Sequence, residues 1–460
     1  MKLLTTFIGA LNNLVQSFFQ IMLFKDHKVR VLVISHNSFS DTQSNGKTLS
    51  AFFKNWDREN LAQLYFTASV PDFTVCQKYF RITDFDILKG IAFKGIHGGR
   101  IENERATNIV YNKKGLKSFY FDLFNRYACY LFRLLRDVIW RFVGFESKML
   151  TAFIDEFNPQ VVFFQSSSGT FAFSIVKWVC QTRNIPLVMQ TTDDYVTGKL
   201  TLSPFFWIHH FHLKKAYKWA VSYADCVIAI GDKMAHEYKI RFGGNYYVAM
   251  NSIQDPRLPA YVSGTEKIRF LYAGNLGLNR WKVLSLIAVC LEELYLEEKL
   301  FGELSIYSLI EPNNDVLNYL NVNCFSQFRG SLDTDDLNRE KSLSDILVHV
   351  ESFDTKSKHI TRLSVSTKIP EYLISKRCIL AVGPSDVASM EYLAKNDLAV
   401  IVNYNNKSKI KSALKKIIID EQVRIKYSII GFEHAILWHD ADLTSKNIDN
   451  IISKAVSRPK

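Results

Sequence analysis

No C-x-x-C pair occurs in the 460 residues, and the seven cysteines stand far apart, at Cys76, Cys129, Cys180, Cys226, Cys290, Cys324 and Cys378. That spacing excludes a zinc-finger or zinc-ribbon framework. The odd count and wide separation point to reduced thiols and a cytoplasmic compartment. Also lacking is an uninterrupted apolar run of about 20 residues, the length needed to cross a bilayer. The opening segment Met1–Ala10 has the look of a signal peptide, but Asn12, Asn13 and Gln16 interrupt its apolar core and no small-residue cleavage site follows. It reads as an amphipathic helix, docked on the protein or lying on a membrane. The dinucleotide fingerprint G-x-G-x-x-G and the P-loop are both missing, so any phosphate site belongs to another class. No short repeat and no nucleic-acid recognition module is apparent, which argues against an RNA or DNA partner.

What the chain does have is length and positive charge. At 460 residues it exceeds a comfortable single core, so two or three domains are expected. The net charge of +12 favours anionic partners, among them phosphorylated ligands and acidic membrane surfaces. Buried-strand patterns recur at Lys28–Ile34, Gln160–Phe164, Pro186–Met189 and Ala224–Ile230, each followed by a helical pattern. Residues 60–115 are harder to read and predict one or two strands, a helix and a long loop around Gly95–Gly99. Tyr246–Met250 closes this series, and Asn251–Lys267, with Pro256 and Pro259, reads as a linker. A second series has strands near 269–273, 304–308, 345–350, 378–382 and 398–402. Alternation of strand and helix in both halves predicts two doubly wound parallel sheets. Residues 423–455 are helical in pattern.

Two segments of the second half carry chemistry. In Ser366-Thr-Lys-Ile-Pro-Glu371-Tyr-Leu, a lysine and a glutamate lie three apart at the start of a short helix, just before the buried strand Cys378–Val382. An open α/β sheet binds nucleotides at the carboxyl ends of its strands. There a carboxylate can accept ribose hydroxyls and a lysine can neutralise phosphate. In Arg269-Phe-Leu-Tyr-Ala-Gly-Asn-Leu-Gly277, a strand runs into a glycine turn, followed by Asn279-Arg-Trp-Lys282 and an apolar-periodic helix. Gly274 and Gly277 permit close backbone approach, and Arg280 and Lys282 add full charges to the helix start. In the first half, the polar loop Ser35–Gly46 predicts a tight turn at Asn45-Gly46 with a helix beginning near Lys47. His36, Asn45, Gly46 and Lys47 would then face the same cleft. Asp193 and Asp194 follow a strand end and read as acceptor-hydroxyl contacts or as loop and capping acids.

These motifs resemble bacterial glycosyltransferases of the two-Rossmann (GT-B) fold, most closely the retaining, family-4-like branch used in capsule, O-antigen and exopolysaccharide assembly. Tyr-Ala-Gly-Asn-Leu-Gly with Asn-Arg-Trp, and Ser-Thr-Lys-Ile-Pro-Glu-Tyr-Leu about ninety residues later, carry the likeness, which is strongest over residues 268–402. The resemblance implies an acceptor-binding domain at 1–255, a nucleotide-sugar domain at 256–435, and a terminal helix at 436–460 crossing back near Trp438 and His439. It implies a UDP- or GDP-linked sugar donor, no bound cofactor and no metal. Arg280, Lys368 and Glu371 would act on the diphosphate and ribose, with Gly274, Asn275, Gly277, Lys282, Glu351 and Ser366 lining the donor. Many such enzymes carry a second glutamate eight positions before the one matching Glu371. Here that position is Leu363, beside Arg362, and Glu351 is the candidate replacement.

Two basic aromatic runs, at 117–143 and 207–219, pair apolar positions such as Phe124, Tyr127, Leu131, Leu134 and Val138 with Arg126, Arg133, Lys214, Lys215 and Lys218. One face is expected in the core and the cations against acidic phospholipid. His209, His210 and His212 do not share a helix face, which argues against a metal site. The expected activity is transfer of a sugar to a lipid-linked saccharide at the inner face of the plasma membrane. The alternatives are a nucleotide-sugar epimerase on the same architecture and a catalytically idle scaffold of a polysaccharide assembly complex.

Overall fold

The structure is a computed structural model that describes residues 29–40, 44–92, 98–102, 129–197, 201–253, 258–261 and 267–457. The expected N-terminal helix, the loop at 95–97 and the 117–128 part of the first aromatic run lie outside those residues. The first half begins with β1 (Val31–Ser35), α1 (Ser44–Phe52), β2 (Leu61–Tyr65), β3 (Lys78–Arg81), α2 (Asp84–Ala92) and β4 (Gly99–Ile101). It continues with α3 (Cys129–Val143), α4 (Lys148–Phe157), β5 (Val161–Gln165), α5 (Thr170–Arg183), β6 (Leu187–Thr191), α6 (Pro204–Tyr223), β7 (Cys226–Ala229), α7 (Asp232–Phe242) and β8 (Tyr246–Val248). Its eight strands lie in the order β4-β3-β2-β1-β5-β6-β7-β8. All neighbours are parallel except β3 and β4.

The second half holds β9 (Ile268–Ala273), α8 (Arg280–Glu298), β10 (Gly302–Tyr307), α9 (Asn314–Leu320), β11 (Ser326–Phe328), α10 (Thr334–Leu343) and β12 (Ile346–Val350). Then come α11 (Thr355–Thr361), α12 (Lys368–Leu373), β13 (Cys378–Val382), α13 (Ala388–Lys395), β14 (Val400–Val402), α14 (Lys407–Ile419), α15 (Glu421–Trp438) and α16 (Ala441–Ser457). The second sheet is parallel throughout, in the order β11-β10-β9-β12-β13-β14.

The central strands are fully buried apolar runs, Val31-Leu-Val-Ile and Ile346-Leu-Val among them. Helices cover both faces of a parallel sheet, so such strands lose the alternation of a half-exposed strand. The helices start where side chains cap them. Ser203 accepts the Phe206 amide ahead of Pro204, and Asp333 accepts the Asp336 amide at the head of α10. Asn158 and Asn184 end α4 and α5 in the left-handed conformation.

Three expectations change. The described residues of 60–115 already carry three strands, not one or two. Helix α1 starts at Ser44, so Asn45 and Gly46 belong to its first turn and form no separate tight turn. A side chain at Gly46 would come within 2.6 Å of the Ser38 carbonyl, so glycine there lets the helix pack under the 38–40 loop. In α3 the buried face is offset from the one expected. Val138 is 59% exposed, whereas Trp140 is 1% exposed, stacked on Phe171 at 4.0 Å and donating to Asp84 at 2.7 Å. Trp140 offers the larger surface and a hydrogen-bond donor, and it sets the helix rotation.

The chain returns to the first half at a break between α15 and α16. Ile253 donates to the His439 carbonyl at 2.8 Å, and Ala441 donates to the Ile253 carbonyl at 3.1 Å. Beyond this junction Ile448 and Ile452 join the core of the first sheet, and α16 packs on α1, β5 and β6.

Candidate functional site

The site is built on the turn that follows β9. Gly274 continues the strand, its amide bonded to the Tyr307 carbonyl at 2.9 Å. Asn275 then folds its side chain onto the Gly277 amide at 2.7 Å, an Asx turn. Leu278 and Asn279 both take positive φ, 56° and 58°, which tightens the entry into α8. Asn279 is held there by Asp354 at 3.1 Å. Ser352, Ser357 and Asn279 all bond to Asp354, and together they overcome its burial and hold its carboxyl well below the usual range.

Onto this turn comes Lys368, the first residue of α12. Its Nζ donates to the Ala273 carbonyl and lies 5.6 Å from the centre of the Tyr272 ring. A Cβ on Gly274 would collide with that ammonium and come within 2.6 Å of the Tyr272 hydroxyl, so the glycine makes room for the lysine. Tyr372, one turn on, bonds the Ala273 amide at 3.0 Å and locks α12 to the strand end. Burial lowers the Lys368 pKa to about 8, with help from the charges of Arg280 and Lys341 and against the pull of Glu371. Ser366 sits just ahead, its Oγ 3.4 Å from the Lys368 amide and its own amide on the Ser389 hydroxyl.

Arg280, the first residue of α8, is anchored from below. It donates to Glu351 at 3.0 Å, and the Glu351 side chain is only 3% exposed. Glu351 is therefore buried behind Arg280 and not open to a sugar, which corrects its expected role. Burial raises its pKa against the opposing charges of Arg280 and Lys368. His349, two residues earlier on β12, is wholly buried in the same cluster, and burial with the two cations lowers its pKa to about 3. Lys282 does not join. It lies about 200° around α8 from Arg280, exposed, with its ammonium over the Trp281 ring at 5.6 Å.

Glu371, while still within the field of Lys368, reaches toward the other half of the molecule. It meets Lys47 of α1 at 3.3 Å and Lys341 of α10 at 3.6 Å. Burial alone would raise its pKa, but the two lysines outweigh it and the carboxyl is held low. Lys341, nearly fully buried, is lowered chiefly by its own desolvation. Beside Glu371 opens a cavity of about 770 Å³ between the halves, lined by Lys47, Lys54, Arg58, Lys341, Asn338 and Glu371 among others. It does not reach Arg280 or Lys368.

The remaining first-half candidates separate. Asn45 and Gly46 lie in the first turn of α1, next to Lys47. Asp193 reaches the second half, accepting from Ser364 at 3.2 Å. Asp194 does not face the cleft. It is buried, accepting from Tyr238 at 2.7 Å and from Thr197, with Arg241 at 3.8 Å. His36 lies near α2 and α3; burial lowers its pKa, and Arg136 lowers it further against Asp84. At the position of the missing acid, Leu363 is buried in the core, and its neighbour Arg362 pairs with Glu237 at 2.7 Å across the two halves. His209 is buried against Asp137 at 3.4 Å and His210 stacks on Phe206. Among the described residues no group of three or more His, Cys, Asp or Glu side chains is placed to hold a metal ion.

Sequence reasoning missed Lys341, His349 and the Lys47–Glu371 contact. Lys341 sits in the polar helix Thr334–Leu343, which carries no motif. His349, in the middle of an apolar strand, was the one legible signal.

No protein-family model matches the chain, and no curated protein matches it. Solved structures do. Sucrose-phosphate synthase from Thermosynechococcus elongatus superposes with a TM-score of 0.60 at 10% identity, covering 92% of this chain and 98% of that one. HepE from Anabaena, in complex with UDP, gives 0.58 at 11% identity over 93% of this chain and all of that one. An α,α-trehalose-phosphate synthase (UDP-forming) from Burkholderia vietnamiensis gives 0.56 at 10% identity over 93% of this chain and 100% of that one. At such identities the likeness establishes architecture: two parallel-sheet α/β domains in the arrangement of the GT-B fold.

Proposed function

We propose that this protein is a glycosyltransferase that moves a sugar from a nucleotide-sugar donor to a hydroxyl of an acceptor. One observation carries the reading. At the carboxyl edge of the second sheet, Lys368 lies on the Gly274 turn, Arg280 stands fixed on Glu351, and Glu371 faces the opposite domain three residues along α12. This is the edge at which open parallel sheets take nucleotides. HepE, one of the structures similar to this chain, is seen with UDP and with UDP-glucose.

In this reading the diphosphate lies over the Gly274–Gly277 turn, between Lys368 and Arg280. Glu371 accepts the ribose hydroxyls, exchanging its contact with Lys47 for them. As the bond from the anomeric carbon to phosphate breaks, negative charge grows on the leaving diphosphate. Cations held in place beforehand stabilise that charge more in the transition state than in the ground state. Side-chain cations would do this work without a bound metal. The acceptor enters from the first domain, past Asp193, and the closed halves keep water from the donor. We take the acceptor to be a lipid-linked saccharide of cell-surface polysaccharide assembly, and the enzyme to work at the inner face of the membrane with retention of configuration, as the sequence resemblance implies.

Turnover of a panel of UDP- and GDP-sugars with membrane extract tests the reading. Glu371→Ala and Arg280→Ala should each lower donor turnover at least about tenfold, equivalent to ~1.4 kcal/mol. Unchanged turnover in both variants contradicts the site, and no turnover of any donor by the intact protein favours the scaffold. Epimerised sugar in place of transfer would indicate the alternative enzyme.

A further inference from the structure

The cavity between the halves carries more positive charge than its walls neutralise. Four cations line it, Lys47, Lys54, Arg58 and Lys341, against one carboxylate, Glu371. Lys54 is balanced from outside the cavity by Asp442 of α16 at 3.1 Å. Lys47 and Lys341 share the carboxylate of Glu371, at 3.3 Å and 3.6 Å. Arg58, shortly before β2, has no ion pair and no side-chain hydrogen bond among the described residues, and its chain neighbours Asp57 and Glu59 do not line the cavity. One charge of the Lys47–Lys341 pair and the charge of Arg58 are therefore left over.

Burial makes this surplus costly. The Lys341 side chain is only 5% exposed, and its own desolvation, with the charge of Lys47, works against the ammonium. A buried ammonium needs a full partner, and one carboxylate shared between two lysines leaves each half-paired. Asn338 adds a contact of 3.5 Å. Ser252, in the same wall, has its Oγ buried with no hydrogen-bond partner. Cations and a hydroxyl without acceptors describe a place for an oxyanion. The cavity, at about 770 Å³, is in the range that encloses a whole small molecule, and Trp56, Val75, Leu337 and Ile374 give it an apolar wall. Gly274, Arg280 and Lys368 are not part of it, so it is not the pocket for the donor's diphosphate.

We propose that this cavity binds the phosphate group of a second ligand, separate from the sugar donor, and that the phosphate bridges α1 and α10 across the two halves. Lys47 and Lys341 gain a partner there and release Glu371. In the transferase reading Glu371 must leave Lys47 before it takes the ribose hydroxyls, so the phosphate and the nucleotide help one another to bind. By linkage each tightens the other by the same factor. The phosphate site itself stands apart from the transferase reading; only the coupling rests on it.

Calorimetric titration of the full chain with inorganic phosphate and with ribose 5-phosphate tests the proposal, at constant ionic strength in chloride, with and without saturating UDP. Both probes should bind with UDP present, and UDP should bind at least about fivefold more tightly in saturating phosphate. Tighter binding of ribose 5-phosphate than of phosphate identifies the ligand as a phosphorylated metabolite, and equal binding identifies it as the free ion. Lys54→Gln/Arg58→Gln changes two exposed side chains outside the donor turn. It should weaken phosphate binding at least about tenfold, with melting temperature and phosphate-free UDP affinity unchanged. Arg58→Gln alone, which breaks no ion pair, should show a smaller loss in the same direction. Competition between phosphate and UDP would put the anion on Lys368 and Arg280 and overturn the proposal. So would the absence of saturable binding by either probe, or binding indifferent to both variants. Phosphate and UDP binding without mutual effect refutes the release of Glu371. Phosphate binding that depends on Arg58, in a protein that binds no UDP, would keep the site and remove only the transferase reading.

Discussion

Lys368 offers the sharpest test of the donor site, because its proton is poised to respond to phosphate. An exposed lysine titrates near 10.4; burial over the Gly274 turn, with Arg280 and Lys341 nearby, brings Lys368 to about 8. That lowering is worth roughly 3 kcal/mol against the charged form, at about 1.36 kcal/mol for each unit of pH. A diphosphate over the turn supplies the missing counter-charge and moves the pKa back up. Binding then takes up a proton wherever the free protein has lost it. Below pH 8 the lysine is already charged and affinity is insensitive to pH. Above pH 8 affinity falls with each further loss of the proton, and UDP should bind about tenfold more weakly at pH 9 than at pH 7. Calorimetry at the two pH values in buffers of different ionisation enthalpy reads both the affinity and the proton uptake. In Lys368→Arg, whose guanidinium stays charged, the step should vanish. A wild-type affinity flat from pH 7 to 9, or the same step in Lys368→Arg, would refute the reasoning.

Other outcomes follow from the same contacts. Gly274→Ala places a methyl group against the Lys368 ammonium and the Tyr272 hydroxyl, so UDP affinity should drop at least about tenfold while circular dichroism stays native. The junction at His439 should sense acid. The Tyr392 hydroxyl lies 2.6 Å from His434 Nε2 and 2.7 Å from His439 Nε2, and burial first, then the charge of His434, lowers the His439 pKa to about 4. The unfolded chain binds that proton at a higher pH than the folded one, so stability is full above about pH 6.5 and is lost as pH falls toward 4, by up to roughly 3 kcal/mol. Thermal melts between pH 7 and 4 should show the loss, and His439→Gln should show less of it.

The sheets were legible because parallel strands buried on both faces read as continuous apolar runs, and Val31–Ser35 and Cys378–Val382 are examples. The edge strands Gly99–Ile101 and Ser326–Phe328 were not, since Gly-Arg-Ile and Ser-Gln-Phe lack the apolar run that marked the equally short Val400–Val402. The glycine turn and the Lys368–Glu371 helix were visible as local motifs. Their partners were not. Lys341 comes from a helix with no apolar stripe, and Lys47 reaches Glu371 across 324 residues of chain. Asp193 and Asp194 are adjacent in sequence, yet one spans the domains and the other is buried under Tyr238. The chain bends here, the Tyr195 amide bonding the Asp193 carbonyl at 3.0 Å, and composition does not say which of the two side chains faces the cleft. The aromatic run before Trp140 showed helical spacing, but rotation about the helix axis was decided by a single hydrogen-bonded ring.

The most direct measurement of the donor site is a crystal structure of the full chain with UDP. The diphosphate should lie within hydrogen-bond reach of Lys368 Nζ and the Arg280 guanidinium, over Gly274, with the ribose hydroxyls on Glu371 and Lys47 displaced. UDP bound elsewhere, with the Lys47–Glu371 pair intact and the Gly274 turn empty, would contradict the account.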